Sequence, residues 1–229
     1  MSLNDDTQTN INQKHELNKS TNYPQTIRKG PPPPFLDEDN LYGTFGTACF
    51  GTGTILLGIQ VWGGYSNGKL LTIFGFFFGC LGQVVAGVMR FKYRRYAGGT
   101  TTFFFSLNWA MNACYALFPT FGWCQPLGNK ELGYHNLLAC FYTFLFLMQN
   151  FNAPTLLIPL SSFFTFFGFV FGCIGNFADS NTLRKMAGVC NISTGSVAFY
   201  NAFSSTINTK YKRVLLPYFD GKQLGQRLD

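Results

Sequence analysis

Five stretches of this chain contain no Asp, Glu, Lys or Arg: 40–68, 70–89, 96–129, 132–178 and 186–209, of 29, 20, 34, 47 and 24 residues. A helix that crosses a bilayer needs ~20 mostly apolar residues. Four stretches therefore hold one crossing each, and the longest has room for two. Its middle reads Gln149-Asn150-Phe151-Asn152-Ala153-Pro154-Thr155, polar residues with a Pro that mark a turn. The pattern predicts six spans, near 43–62, 70–89, 102–121, 134–151, 155–176 and 186–207. The fold class is an all-α integral membrane protein, a six-transmembrane-helix bundle. A soluble globular enzyme is a poor fit to so little charge.

The charges that remain orient the bundle. Six of the ten acids lie in residues 1–39, which leaves four acids and thirteen bases in the other 190 residues. With six spans both termini share a side. That side receives the N-terminal tail, the loop with Arg90, Lys92, Arg94 and Arg95, and the flank with Lys210, Lys212 and Arg213. Loops rich in Lys and Arg stay cytoplasmic, so both termini are expected there and the plasma membrane is the expected location. The basic balance is thus a topology signal, and no nucleic-acid partner is expected.

Residues 1–39 are rich in Asn, Thr, Gln and Lys and lack an apolar core, so they are no signal peptide. They read as a disordered cytoplasmic tail that ends in a polyproline spacer at Pro31–Pro34. Asn18-Lys19-Ser20 matches a glycosylation sequon that a cytoplasmic tail never presents to the transferase. The domain plan is a tail at 1–39, a six-span domain at 40–209 and a basic cytoplasmic C-terminal tail at 210–229.

Inside the spans the only ionisable side chains are Cys and Tyr, which excludes a buried carboxylate or histidine relay. The seven cysteines form no C-x-x-C pair, and His15 and His135 lie in the tail and at a span edge. Neither a disulfide framework nor a metal site follows, and no cofactor is expected. No nucleophile–base pair, metal set or carboxylate pair that would make a membrane enzyme appears. What the spans do carry is amides and hydroxyls, densest in the sixth: Asn191, Ser193, Thr194, Ser196, Asn201, Ser204 and Ser205. Such groups are costly against lipid and must face other helices or a wet path. Singly they read as interhelical glue; as a set they favour a pore or binding path.

Two segments carry a more specific signal. The first is Gly82-Gln83-Val84-Val85-Ala86-Gly87, then Phe91-Lys92, Thr100 and Trp109. The second is Gly175-Asn176, Ala187-Gly188, Gly195-x-x-Ala198-x-Tyr200, Asn208, Arg213 and Leu216-Pro217. In order and spacing these resemble the acetate uptake transporter family, with its G-x-x-Q-x-x-A-G-x-x-(E)-(Y/F)-K segment, span-three Trp and closing R-x-x-L-P. The pattern lies over residues 41–217 with a gap around 119–150.

The resemblance implies a six-span protomer in a homohexamer, passing acetate and, in some members, succinate through a path inside each protomer. It also implies an N-P-A-P-L-G-L-x-G-F opening motif at span one. Here that stretch starts at Asn40, keeps Gly46 and Phe50, and lacks both prolines. The family narrows its path with a Phe, a Tyr and a Leu, which by register correspond to Phe50, Phe105 and Thr165. Thr165 in place of an apolar group implies a wider, less selective neck, unless Phe164 or Phe166 turns in to seal it. Ala198 matches a family position associated with substrate size.

Acetate needs donors for its oxygens and apolar wall for its methyl. Gln83, Asn108, Thr165 and Asn201 are the candidate donors, Phe side chains the wall, and the lack of a fixed cation keeps binding weak enough for release. The rivals are a channel for another small solute (ammonia, formate, water or glycerol) and a non-transporting scaffold. An aquaporin needs two Asn-Pro-Ala motifs, whereas this chain has one Asn152-Ala153-Pro154 in the wrong order.

Overall fold

The computed structural model describes residues 41–63, 68–151, 153, 155–211, 213–217 and 219. The tail 1–39 with its proline run and sequon, and Asn40, lie outside the described residues. The rest is helical: α1 (Leu41–Trp62), α2 (Lys69–Lys92), α3 (Tyr96–Thr120), α4 (Asn129–Asn150), α5 (Leu157–Phe177) and α6 (Asn181–Tyr211). Three of them meet the length and apolarity of a span by composition alone: Tyr42–Trp62, Lys69–Lys92 and Leu157–Phe177, with mean hydropathies of 1.3, 1.9 and 2.0.

Each expected span falls on one helix, and the 47-residue stretch divides where the polar turn predicts, between Asn150 and Leu157. The boundaries differ at three starts. α3 begins at Tyr96, α4 at Asn129 and α6 at Asn181, five or six residues before the expected spans. Absence of charge finds only the apolar slab, whereas backbone hydrogen bonding carries a helix on past it. The hydroxyls of Thr100, Thr101 and Thr102 donate to the carbonyls of Tyr96, Ala97 and Gly98 at 2.9, 3.0 and 2.8 Å, which keeps a threonine run helical. Thr47, Thr52, Thr54 and Thr206 bond back one turn in the same way, so many intramembrane hydroxyls are satisfied within their own helix.

The six helices form a ring in chain order: α1 packs on α2, α2 on α3, α4 on α5, α5 on α6, and α6 returns to α1. The α3–α4 side is joined through side chains, with Phe104 stacked on Tyr142 at 5.4 Å between centroids and Tyr142 Oη donating to Asn108 Oδ1 at 3.0 Å. The opposite seam, α1 on α6, is backbone against backbone. A Cβ added at Gly51 would lie 2.9 Å from the Gly195 carbonyl oxygen, and one at Gly195 would lie 2.7 Å from that of Gly51. Gly58 and Gly188 repeat the arrangement seven residues along, on the same stripe.

α2 contains a feature that helical periodicity does not announce: Gly75–Gly82 is a π-helical stretch between α-helical ends. The wider turn opens a slot for Trp109 of α3, whose indole is buried at 3% exposure against Gly53, Gly75 and Gly79. Ser106 on the same helix donates to the Cys80 carbonyl at 3.1 Å, satisfying one acceptor that the distorted ladder presents. The span-three Trp therefore has a packing reason, and glycine is what admits it.

Burial inverts the pattern of a water-soluble protein. Leu107, Leu138, Phe141, Leu145 and Phe151 are more than 60% exposed, while Gln83, Ser106, Thr143, Thr194, Ser204 and Asn208 are at most 2% exposed. A fold whose outside is apolar and whose inside is amides and hydroxyls is stable in lipid rather than in water.

The basic tail expected from residue 210 starts inside α6, and the chain beyond that helix turns back onto the bundle. Asn208 Oδ1 accepts the Leu215 and Leu216 N–H groups at 2.8 and 2.9 Å, and its Nδ2 donates to the Leu216 carbonyl at 2.9 Å. Tyr200 Oη donates to the Pro217 carbonyl at 3.0 Å, and the Leu156 N–H to that of Phe219 at 3.1 Å.

Candidate functional site

The ring encloses a cavity of about 670 Å³ in one half of the bundle. Its walls come from the first half of α1, α3 and α5 and the second half of α2, α4 and α6: Thr44, Thr47 and Phe50; Gln83 and Arg90; Thr102 and Phe105; Thr143, Phe146 and Asn150; Leu157, Ser161 and Thr165; Ala198, Asn201 and Ser205. Neighbouring helices run in opposite directions, so all of these residues lie toward the same end. The wide end carries Arg94, Arg95 and Tyr96 from the α2–α3 turn, where Arg94 adopts φ 59° to reverse the chain in three residues.

Most of the residues singled out from sequence meet here. Phe50, Phe105, Thr165, Gln83, Ala198, Asn201 and Gly46 all line the cavity. Phe50 and Phe105 are in ring contact at 4.7 Å between centroids. Gly46 is glycine because a Cβ there would stand 2.7 Å from Ala86 Cβ on α2. Asn40 lies outside the described residues.

The remaining candidates change role. Asn108 is buried but is not part of the lining; its Oδ1 takes the Tyr142 hydroxyl, so it ties α3 to α4 instead of facing a path. Thr165 lines the cavity, yet its hydroxyl donates to the Ser161 carbonyl at 2.8 Å and lies 3.4 Å from Thr194 Oγ1. A hydroxyl has one proton to give, so Thr165 presents lone pairs and a methyl group, not a donor. Neither Phe164 nor Phe166 lines the cavity; Phe166 faces an outer apolar groove with Phe144 and Val170. The third aromatic comes from α4: Phe146, 5.8 Å from Phe105 between centroids and 7% exposed. Phe146 falls in the stretch where the family pattern needs a gap, and Phe is too common in these spans to signal by itself.

Two lining amides are left unsatisfied. Gln83 is 2% exposed and its Nε2 has no hydrogen-bond partner among the described residues; the same holds for Asn201 Oδ1. A buried polar atom with no partner costs about 1–3 kcal/mol unless water or a ligand meets it. One donor and one acceptor are therefore held open toward the cavity.

The expectation of a path without a fixed cation is overturned. Arg90, read in sequence as a loop charge, stands on the last turn of α2 and lines the cavity. Its Nη1 donates to the Gly98 carbonyl at 2.9 Å and to Thr102 Oγ1 at 2.6 Å, and its Nη2 to the Gly43 carbonyl at 3.2 Å. In the family's G-x-x-Q segment this is the position of the Glu. Arg90, Arg94 and Arg95 line the cavity, and among the described residues the lining contains no Asp or Glu. Arg90 and Arg94 make that end of the cavity positive, which favours anions.

Among the described residues no group of three His, Cys, Asp or Glu is placed to hold a metal ion. The geometry is that of a cavity in one half of the bundle, with a basic end, hydroxyl and amide walls, and an aromatic floor.

Comparison with known proteins agrees with this geometry. The GPR1/FUN34/yaaH family matches residues 43–220, nearly the stretch over which the motifs were read. The chain is 27% identical over 173 residues to the succinate-acetate/proton symporter SatP of Escherichia coli strain K12, which covers 75% of this chain and 91% of that relative. The SatP proteins of Escherichia coli O157:H7 and Shigella flexneri match to the same extent. The solved structure of the bacterial acetate channel SatP shares the fold, with a TM-score of 0.75 at 23% identity, over 77% of this chain and 97% of that one. With 178 of its residues under one family match and six helices in that fold, this chain is a multi-pass membrane protein that belongs to the GPR1/FUN34/yaaH family, a family of transporters and channels and not of enzymes.

Proposed function

We propose that this protein passes acetate and related small monocarboxylates, and succinate with them, through a path inside each protomer, with its neck at Phe50, Phe105 and Thr165. The observation that carries this reading is the half-channel that ends on an aromatic floor beside an unpartnered Gln83 amide. A small carboxylate leaving water needs a donor in place of each lost hydration contact, and its methyl needs an apolar wall. Gln83 Nε2 supplies a donor at the floor, and Phe50, Phe105 and Phe146 supply the wall. All six helices cross the membrane in this reading, both termini are cytoplasmic, and the half-channel opens to the cytoplasm of the plasma membrane. Six protomers assemble around an axis, each with its own path, and Ala198 sets the width near the neck.

Labelled-acetate flux into liposomes containing the purified protein tests the reading. Saturable flux that follows a pH gradient identifies movement of the acid or of an anion–proton pair, and flux that follows voltage identifies an anion channel. Absence of acetate flux from folded protein sinks the proposal and brings a small uncharged solute to the front.

The neck has its own test. Thr165→Leu adds apolar bulk beside Phe50 and Phe105, and a group of that size in an apolar constriction is worth about tenfold in passage. The expected result is roughly tenfold lower acetate flux with sharper exclusion of larger carboxylates. Unchanged flux and selectivity would mean that Phe50, Phe105 and Phe146 alone form the neck.

A further inference from the structure

We propose that Arg90 forms an anion-binding site in the half-channel, taking an ionised carboxylate on the two N–H groups that its structural hydrogen bonds leave over. A guanidinium has five N–H donors in a planar fork. Three of Arg90's are used, two of Nη1 and one of Nη2, on the Gly98 carbonyl, the Thr102 hydroxyl and the Gly43 carbonyl. These acceptors come from α1 and α3, so the guanidinium of α2 is held in place from two sides. All three are uncharged, and among the described residues Arg90 has no carboxylate partner. The Nε–H and the second Nη2–H remain. Both are charge-assisted donors that an incoming carboxylate can accept from.

A positive charge fixed in a cavity wall, with donors unused, needs a counter-ion. The described residues of the lining offer none, because they include no Asp or Glu. Arg94 stands at the same end and adds to the positive field. An anion arriving from the mouth meets Arg90 before it meets the Gln83 amide, which lies on the same face of α2 two turns deeper, about 10 Å along the axis. Arg90 thus selects on charge and Gln83 receives what the selection admits. A neutral solute of the same shape gains a hydrogen bond at the first station but no charge pairing. The inference deepens the transport reading and rests on it only for the choice of acetate as the ligand.

The test uses the full-length protein. Binding of ¹³C-acetate to the purified protein in lipid nanodiscs is followed by NMR, and labelled-acetate flux is followed in liposomes. Acetate is expected to bind, and the uncharged isostere acetamide is expected to leave bound acetate in place at equal concentration. Arg90→Gln should weaken acetate binding by roughly tenfold or more and raise the half-saturating concentration of flux by a similar factor. Arg90→Lys keeps the charge without the fork, and should fall between the two. Arg184→Gln removes a cation that pairs with Asp179 at the opposite end, and should change neither.

The proposal is overturned if folded Arg90→Gln binds acetate within twofold of the wild type, or if wild-type protein binds no acetate. Should the Gln variant fail to fold, displacement of acetate by acetamide from the wild type overturns it instead. Arg90-dependent binding without flux upholds the site and sinks the transport reading. Flux that is indifferent to Arg90 does the reverse.

Discussion

Gly195→Leu is expected to abolish the folded protein. The α1–α6 seam is the contact that closes the ring, and a Cβ at Gly195 would stand 2.6 Å from Ile55 Cγ1 and, in the main chain, 2.7 Å from the Gly51 oxygen and 2.8 Å from the Ile55 nitrogen. Overpacking a core usually costs about 1–3 kcal/mol because neighbouring side chains can turn aside. Carbonyl groups inside a helix cannot, so the cost here reaches at least about 3 kcal/mol, or α6 separates from α1 and the cavity loses a wall. Solubilised Gly195→Leu should elute as aggregate and lose its cooperative thermal transition, with Gly51→Leu behaving alike and Gly195→Ala falling between. Gly122→Leu, at a loop position with nothing within 4 Å, separates helix crossing from bulk: its strain comes from φ 72° alone, and the folded protein should survive. A Gly195→Leu protein that elutes and melts like the wild type would show that the seam does not hold the fold together.

The second large effect is at Asn208. Its fully buried amide holds the returning C-terminal segment by three hydrogen bonds, two accepted and one donated. Asn208→Ala leaves the Leu215 and Leu216 N–H groups and the Leu216 carbonyl without partners, at about 1–3 kcal/mol for each that stays buried. The segment escapes that cost by peeling off into water, which frees the peptide bond after Arg213. Trypsin should cut there at least tenfold faster than in the wild type, because peeling converts a bound segment into an open chain. Tyr200→Phe removes one bond to the Pro217 carbonyl and should give a smaller increase. Equal cleavage rates in all three proteins would mean that the segment is held by packing alone.

Gly195 and Asn208 both belong to the second of the two segments whose order and spacing resemble the family pattern. The spacing is legible there, but the reason for it is not. A glycine seven residues from another on a helix is a stripe of small residues, and only the facing helix tells whether backbone or lipid lies against it. An Asn at a helix end looks like a polar cap until the segment that it binds is seen to come back.

The division between what the chain states locally and what the fold decides follows the range of the forces. Charge-free length is a local property, because lipid excludes charge wherever the segment lies in the fold, and it locates six helices and the turn inside the 47-residue stretch. The resemblance to the family names Phe50, Phe105, Thr165, Ala198 and Gln83, and chemistry alone names Asn201; the cavity is what brings the six together. What needs the tertiary structure is every statement about partners. Asn108 is spent on Tyr142 across a seam that no sequence window contains. The π turn of α2 depends on an indole from α3. Phe146 supplies the third aromatic because α4 closes the ring there. Arg90, which in sequence counts only as one more cytoplasmic charge, becomes a fixed cation in the cavity because carbonyls from α1 and α3 converge on it. Its charge is written in the chain, while the direction in which it points is set by residues 47 positions before it and 8 after it.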